Sequence, residues 1–391
     1  MRDFWYWVPT RINFGPSCFQ YLVETVKQWG TKPLIVYGGG SIKRNGAYDA
    51  VVSRLKEAGI PFAEMGGVAP NPRLESVKKG IEICKAEKCD ILLPIGGASA
   101  IDCAKAIAAT VHYDGDIWDI ISKKVPVGDV LPVLAVPTLA AAGSEMSTSS
   151  VISRDDMNEK AGFSSPKMRP KASFLNPEFT YTMPKKQTAA GVADAISHVM
   201  ESYFSNVPEA YLQARFGEAM FNTLYHYGII AYNEPKNYEA RSNIMWTCCF
   251  AINGLTVKGN PVGWSMHKLE HELSAYYDVT HGVGLAIIMP AWLTFMLTEE
   301  NAYRYLGYLH ASFGIDPSGM DKMEAAKLAI QKTREYFQKL ELPQRLRDIG
   351  IAEDMLPTMA HKAAIAGKDY FPNAFRPLSE ADALEIYRLA Y

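Results

Sequence analysis

Residues 90–97 read Asp-Ile-Leu-Leu-Pro-Ile-Gly-Gly, an unbroken apolar run that stops at two glycines and opens into Ala-Ser-Ala-Ile-Asp-Cys-Ala-Lys. A strand without polar alternation has to be covered on both faces, which is the condition of a parallel sheet sandwiched by helices. Glycines directly before a helix let backbone N–H groups approach a pyrophosphate, and the helix's positive end favours the charge. Gly96, Gly97 and Ser99 are therefore candidate phosphate contacts, with Ser99 read as the helix N-cap. Asp102 falls in the first turn, as a cap or as an acceptor for a ribose or substrate hydroxyl. The spacing is not GxGxxG, so the sheet is Rossmann-like rather than standard.

The same rhythm extends on both sides. Strand patterns at 32–37, 61–65, 90–95 and 133–136 alternate with helical patterns at 16–29, 47–58, 74–88 and 99–110. That alternation predicts a parallel α/β sheet. Beyond Pro184 the pattern is helical (210–226, 238–251, 323–340, 380–390), with almost no strand-like run. A chain of 391 residues exceeds what one core usually supports. The reading is an α/β dinucleotide-binding domain over 1–184 and an all-α metal-binding, catalytic domain over 185–391.

A formal charge of −2 gives no electrostatic case for nucleic acid or an anionic membrane. No apolar stretch approaches membrane-spanning length, and the N-terminus lacks a signal-peptide core. Six cysteines without a CxxC fit a reduced, cytoplasmic setting, so the expected partner is a small molecule.

The metal signal lies in the helical half. His267 and His271 are one helical turn apart, His281 follows a short polar bend, and Asp194 and His198 repeat the i, i+4 spacing upstream. Residues so spaced leave the same helical face, so paired ligands arrive oriented. One such histidine alone is ordinarily a packed core residue. Two pairs and a further histidine together point to a metal held by Asp194, His198, His267 and His281. Imidazole and carboxylate without thiolate suit Fe(II), Zn(II), Co(II) or Mn(II).

A second strand-to-glycine junction bears on the coenzyme. An acid placed there would bind the adenosine ribose hydroxyls and repel a 2′-phosphate. This chain has Gly38, Gly39, Gly40 and Ser41, then Lys43 and Arg44, which favours NADP(H) while leaving NAD(H) open.

Taken in order, these motifs resemble the iron-containing, or group III metal-dependent, alcohol dehydrogenases, nearest the NADPH-dependent butanol dehydrogenase and aldehyde reductase branch. The likeness runs through Pro9-Thr10, Phe14-Gly15, Pro70-Asn71-Pro72, Gly96-Gly97-Ala98-Ser99 with Asp102 and Lys105, and Pro137-Thr138 with Gly143-Ser144-Glu145. It continues through Asn176-Pro177, Asp194 and His198, and His267-x-x-x-His271 to His281-Gly282.

The resemblance implies a dehydroquinate synthase-like fold, with Fe(II) or Zn(II) on Asp194, His198, His267 and His281. His271 then lines the site as a proton relay without binding the metal. Asn71, Thr138, Leu139, Ser147, Ser149, Lys160 and Phe179 match cofactor positions. The implied reaction passes hydride between NADP(H) and small primary alcohols or aldehydes such as butanol and butanal, and a homodimer is expected. Two departures, Ala98 for glycine and Ala142 for threonine, touch the coenzyme turn and not the ligands. The rival readings are a polyol or hydroxy-acid dehydrogenase of the same fold, a metal-dependent hydrolase, and a nucleotide sensor with structural zinc.

Overall fold

The structure is a computed structural model describing residues 1–391. Its strands are β1 (Arg11–Phe14), β2 (Pro33–Tyr37), β3 (Ala63–Met65), β4 (Ile91–Gly96), β5 (Leu134–Pro137), β6 (Ser149–Arg154), β7 (Glu159–Ser164) and β8 (Ala172–Leu175). Six of them form one all-parallel sheet in the order β1-β8-β5-β4-β2-β3, while β6 and β7 pair as an antiparallel hairpin. From β2 the chain moves outward to β3, and from β4 it moves the other way to β5. The order therefore reverses between β2 and β4, the place where open α/β sheets bind ligands at the strands' carboxyl ends.

The helices of the first half are α1 (Leu22–Trp29), α2 (Ser41–Arg44), α3 (Ala47–Glu57), α4 (Leu74–Ala86), α5 (Ala98–Thr110) and α6 (Ile117–Ile121). Leu34, Val36, Leu92 and Val133 leave one sheet face to meet Leu74, Val77 and Ile107 of α4 and α5. Ile35, Ile91, Leu93, Ile95, Leu134 and Val136 leave the other to meet Leu22, Val26, Val51 and Leu55 of α1 and α3. The alternation along each strand feeds two cores, which is why these strands are apolar throughout.

The remainder is helical: α7 (Lys185–Tyr203), α8 (Tyr211–Asn233), α9 (Tyr238–Ile252), α10 (Ser265–Tyr277), α11 (His281–Met296), α12 (Ala302–Phe313), α13 (Lys322–Lys339), α14 (Leu356–Ala366) and α15 (Glu380–Ala390). α7 is buried from Thr188 to Tyr203, so it forms the axis on which this half is built. No helix is long and apolar enough to cross a membrane.

The chain divides into one unit of residues 7–183 with 235–249, and another of residues 1–6, 184–234 and 250–391, rather than at a single boundary. The first six residues join the helical unit because Arg2 N–H bonds the Gly259 carbonyl (3.1 Å) and Lys258 stacks over Trp5 (4.5 Å). Residues 235–249 join the sheet unit because Trp246 packs edge-on to Phe14 (5.8 Å) and Cys249 bonds Glu145 (3.3 Å). Ser99 is not an N-cap: extended Gly97 caps α5 and the helix begins at Ala98. Finally, β6, β7 and β8 carry no strand reading in the sequence, being short or, in the hairpin, largely polar.

Candidate metal centre and cofactor cradle

α7 turns Asp194 and His198 to one side, with His198 Nδ1 3.6 Å from Asp194 Oδ1. α10 brings His267, whose ring centre lies 4.7 Å from that of His198. His281, the first residue of α11, sets Nε2 3.9 Å from Asp194 Oδ1. Ligand atoms of Asp194, His267 and His281 all lie within 4.8 Å of one another. Asp194 Oδ1 and His198 Nδ1 are buried and have no hydrogen-bond partner. A carboxylate oxygen and an imidazole nitrogen stranded this way are costly unless something positive joins them. Burial, opposed by Asp194 and aided by His267 and His281, lowers the His198 pKa to about 3, which keeps its lone pair unprotonated. The donor set thus fits a divalent cation.

His271 is buried beside this group, its ring centre 5.7 Å from that of His281. Trp264 stands edge-on to His267 (5.2 Å) and His198 (6.1 Å). Its φ of 44° is left-handed, a conformation a bulky residue holds only where its surroundings impose it. Trp5 and Trp7, by contrast, are exposed.

Two carboxylates that the sequence reading passed over complete the centre. Glu201 accepts the His267 backbone N–H (3.0 Å) and lies 3.2 Å from His267 Nδ1. Glu270 contacts His281 Nδ1 through Oε2 and accepts the Ser274 hydroxyl on Oε1 (2.6 Å). Burial pushes the Glu201 carboxyl up to about 8, against the N–H groups of His267, Ser265 and Met266 and the Lys268 charge, which pull it down. A signal was available, since Glu201 follows His198 by three residues and Glu270 follows His267 by three, neighbours on one helical face.

In the sheet unit the candidate cofactor residues follow the strands' carboxyl ends. Gly38, Gly39 and Gly40 lead from β2 into α2, where Ser41 opens the helix. Lys43 lies over the Tyr48 ring (4.9 Å), and Glu64 accepts the Tyr48 and Tyr37 hydroxyls. Gly96 and Gly97 lead from β4 into α5, and Thr138 N–H bonds the Gly96 carbonyl (2.9 Å). A Cβ on Gly97 would meet only Leu139, at 3.6 Å, and one on Gly39 would meet nothing within 4 Å. Asn71, at a left-handed φ of 50°, accepts the Lys160 ammonium (3.1 Å).

Other candidates are occupied by the protein itself. Asp102 accepts the Ser144 hydroxyl (2.5 Å) and the Val151 N–H (2.9 Å). One turn on, the buried Lys105 ammonium reaches Ser144 Oγ (2.9 Å), the Ser147 carbonyl and hydroxyl (3.0 and 3.1 Å) and the Ser149 carbonyl (3.0 Å). Burial lowers the Lys105 pKa to about 8, with Asp102 and Glu145 opposing the shift. So Asp102 and Lys105 pin the 144–151 segment that carries Ser147 and Ser149. The ring of Phe179 packs in the apolar core beside Phe19 (5.6 Å).

Sheet and helical units together define a dehydroquinate synthase-like protein with a Rossmann-like nucleotide half. Residues 9–177 match the family described as iron-containing alcohol dehydrogenase, and residues 188–391 match the C-terminal part of that family. The chain is 48% identical to NADH-dependent butanol dehydrogenase A of Clostridium acetobutylicum, over 100% of both chains. It is 36% identical to the NADPH-dependent aldehyde reductase YqhD of Escherichia coli, over 93% of each. The crystal structure of NADH-dependent butanol dehydrogenase A from Thermotoga maritima superposes with a TM-score of 0.94 at 36% identity, covering 100% of this chain and 99% of that one. The chain belongs to the iron-containing alcohol dehydrogenase family, and its activity class is that of an alcohol dehydrogenase.

Proposed function

We propose that this protein interconverts small aldehydes and primary alcohols, with butanal and butanol as representative substrates, using NADP(H) and one Fe(II) or Zn(II). The observation that carries the metal half is the buried, unpartnered pair of Asp194 Oδ1 and His198 Nδ1, with His281 Nε2 3.9 Å from that oxygen. Asp194, His198, His267 and His281 hold the ion. When bound, the reduced nicotinamide supplies hydride and the ion polarises the carbonyl oxygen. The bare backbone at Gly97 and the start of α5 receive the pyrophosphate, and Gly38 to Ser41 receive the adenosine end. His271, buried against His281 and outside the four-ligand set, passes a proton to the product oxygen.

The NADP(H) preference rests on the β2–α2 junction. It carries Lys43 and Arg44 and no acid, and the nearby Glu64 is engaged by two tyrosine hydroxyls. The similar proteins named above include both NADH- and NADPH-dependent enzymes, so coenzyme choice has to come from this chain's own residues. For a homodimer, the support is the position of β1 at one edge of the sheet and the exposure of Phe4, Trp5, Tyr6 and Trp7. An unpaired edge and a cluster of exposed aromatics are surfaces that a second copy covers.

The test is coenzyme oxidation with butanal on metal-stripped protein, with Fe(II), Zn(II), Co(II) or Mn(II) added back singly, and with NADPH and NADH compared. Activity restored by one metal and higher with NADPH is the expected result. No turnover with any metal or coenzyme overturns the aldehyde reading, whereas faster turnover of polyols or hydroxy acids moves the substrate class. A preference for NADH overturns the coenzyme assignment alone. Sedimentation of a single monomeric species overturns the dimer.

A further inference from the structure

We propose that Glu201 and Glu270 are positioning residues that hold His267 and His281 with Nε2 turned toward the metal, and that they set how tightly the chain binds it. The proposal rests on the metal reading above.

α10 lacks a cap of its own. Its N-cap position is Trp264, with a left-handed backbone and no capping side-chain bond. The His267 N–H bonds instead to the Glu201 carboxyl (3.0 Å), which comes from α7 and is 2% exposed. The oxygen that takes the His267 N–H is also the one 3.2 Å from His267 Nδ1. When the carboxyl is ionised it can only accept, so the ring nitrogen facing it is then the one that carries the imidazole proton. The lone pair is then on Nε2. One buried carboxyl thereby anchors the helix carrying His267 and selects the ring's tautomer.

Glu270 repeats the device one helix further on. Its Oε1 is satisfied by the Ser274 hydroxyl (2.6 Å), and its Oε2 faces His281 Nδ1. His281 Nε2 is the nitrogen that faces Asp194. Room for this fully buried carboxyl exists because residue 284 is glycine: a Cβ there would lie 2.8 Å from Glu270 Cγ and 2.9 Å from Oε1. So α7 orients a ligand on α10, and α10 orients a ligand on α11. Three helices meet in register through two carboxyls that are not themselves in the ligand set. Outer partners of this kind tune metal affinity about 10–100-fold.

A competing use of the same atoms is a second ion. Ligand atoms of Glu270, His271 and His281 also lie within 4.8 Å of one another. In that arrangement His281 Nδ1 would be a ligand and not a hydrogen-bond donor, so stoichiometry separates the two.

The experiment titrates Co(II) into metal-stripped full-length protein, following the ligand-field absorption and competing with a chelator of known affinity. Wild type is compared with Glu201→Gln, Glu270→Gln and Glu270→Ala, and apo-state melting and circular dichroism report the fold. Expected are one ion per wild-type chain, Kd raised about 10–100-fold by Glu270→Ala, and smaller rises with the shape-preserving Gln variants. A changed cobalt spectrum should accompany each rise. Variants that fold and bind Co(II) with wild-type affinity and spectrum overturn the proposal, as do two ions per wild-type chain. Where the Ala variant does not fold, the Gln variants decide. A wild-type chain that takes up no ion overturns the metal reading, and is thereby distinguished from equal binding by the variants.

Discussion

Gly282 stands backbone to backbone with Ala190: a Cβ on Gly282 would fall 1.9 Å from the Ala190 carbonyl oxygen. Ala190 precedes Asp194 by one turn of α7, and Gly282 follows His281, so this contact sets how closely two proposed ligands approach. Gly282→Ala forces the helices apart at that point. Overpacking of this kind costs about 1–3 kcal/mol or more. Calorimetry should show a lowered Tm, and Co(II) titration a weakened site. A variant with wild-type melting and binding would remove the contact from the account.

The opposite outcome is expected at Gly97. An added methyl there meets Leu139 at an ordinary 3.6 Å, so Gly97→Ala should fold and melt like wild type. The methyl instead occupies the space through which the proposed pyrophosphate approach to the start of α5 runs. Steady-state kinetics should show a coenzyme KM raised at least about tenfold with kcat less affected, the pattern of lost ground-state binding.

Coenzyme selectivity is testable at Gly39, where a new side chain meets nothing within 4 Å. Gly39→Asp places a carboxylate at the end of β2, where it repels a 2′-phosphate and accepts from ribose hydroxyls. The expected result is a fall of about tenfold or more in kcat/KM for NADPH, with NADH unchanged or improved. Equal effects on both coenzymes would place the adenosine elsewhere.

His271→Asn probes proton transfer apart from metal binding. Since His271 is outside the proposed four-ligand set, metal content by elemental analysis should stay at the wild-type level. Turnover should fall about 10²–10⁴-fold, the usual worth of a positioned acid–base group. Loss of metal in parallel with activity would make His271 a ligand.

Asp90 tests the sheet. It accepts the N–H groups of Thr31 (2.9 and 2.8 Å) and Lys32 (2.8 Å) and the Thr31 hydroxyl (2.8 Å), fastening the start of β4 to the start of β2. Burial pushes its pKa up, but these donors together hold it below its ordinary value of 3.8. With the folded pKa depressed, the stabilisation is present above about pH 4 and is lost as pH falls through the folded value. Asp90→Asn should therefore cost about 1 kcal/mol at pH 7, kept small because water screens a half-buried group. Denaturant melts at pH 7 and below pH 4 should show the gap between the two proteins closing with acid.

Much of this protein is written in local pattern. The apolar run into Gly96 and Gly97 specifies β4 and the start of α5, because a fully apolar strand and a glycine turn each follow from a few adjacent residues. The i, i+4 pairs Asp194/His198 and His267/His271 likewise emerge on single helical faces from their spacing alone. Tertiary packing decided the rest. It set His281 against Asp194, supplied Glu201 as the missing cap of α10, drew residues 235–249 into the sheet unit and packed Phe179 into the core. Periodicity reports the geometry of one element, whereas a partner from a distant element is chosen by shape and unmet hydrogen bonds, which appear only once the helices and strands have packed.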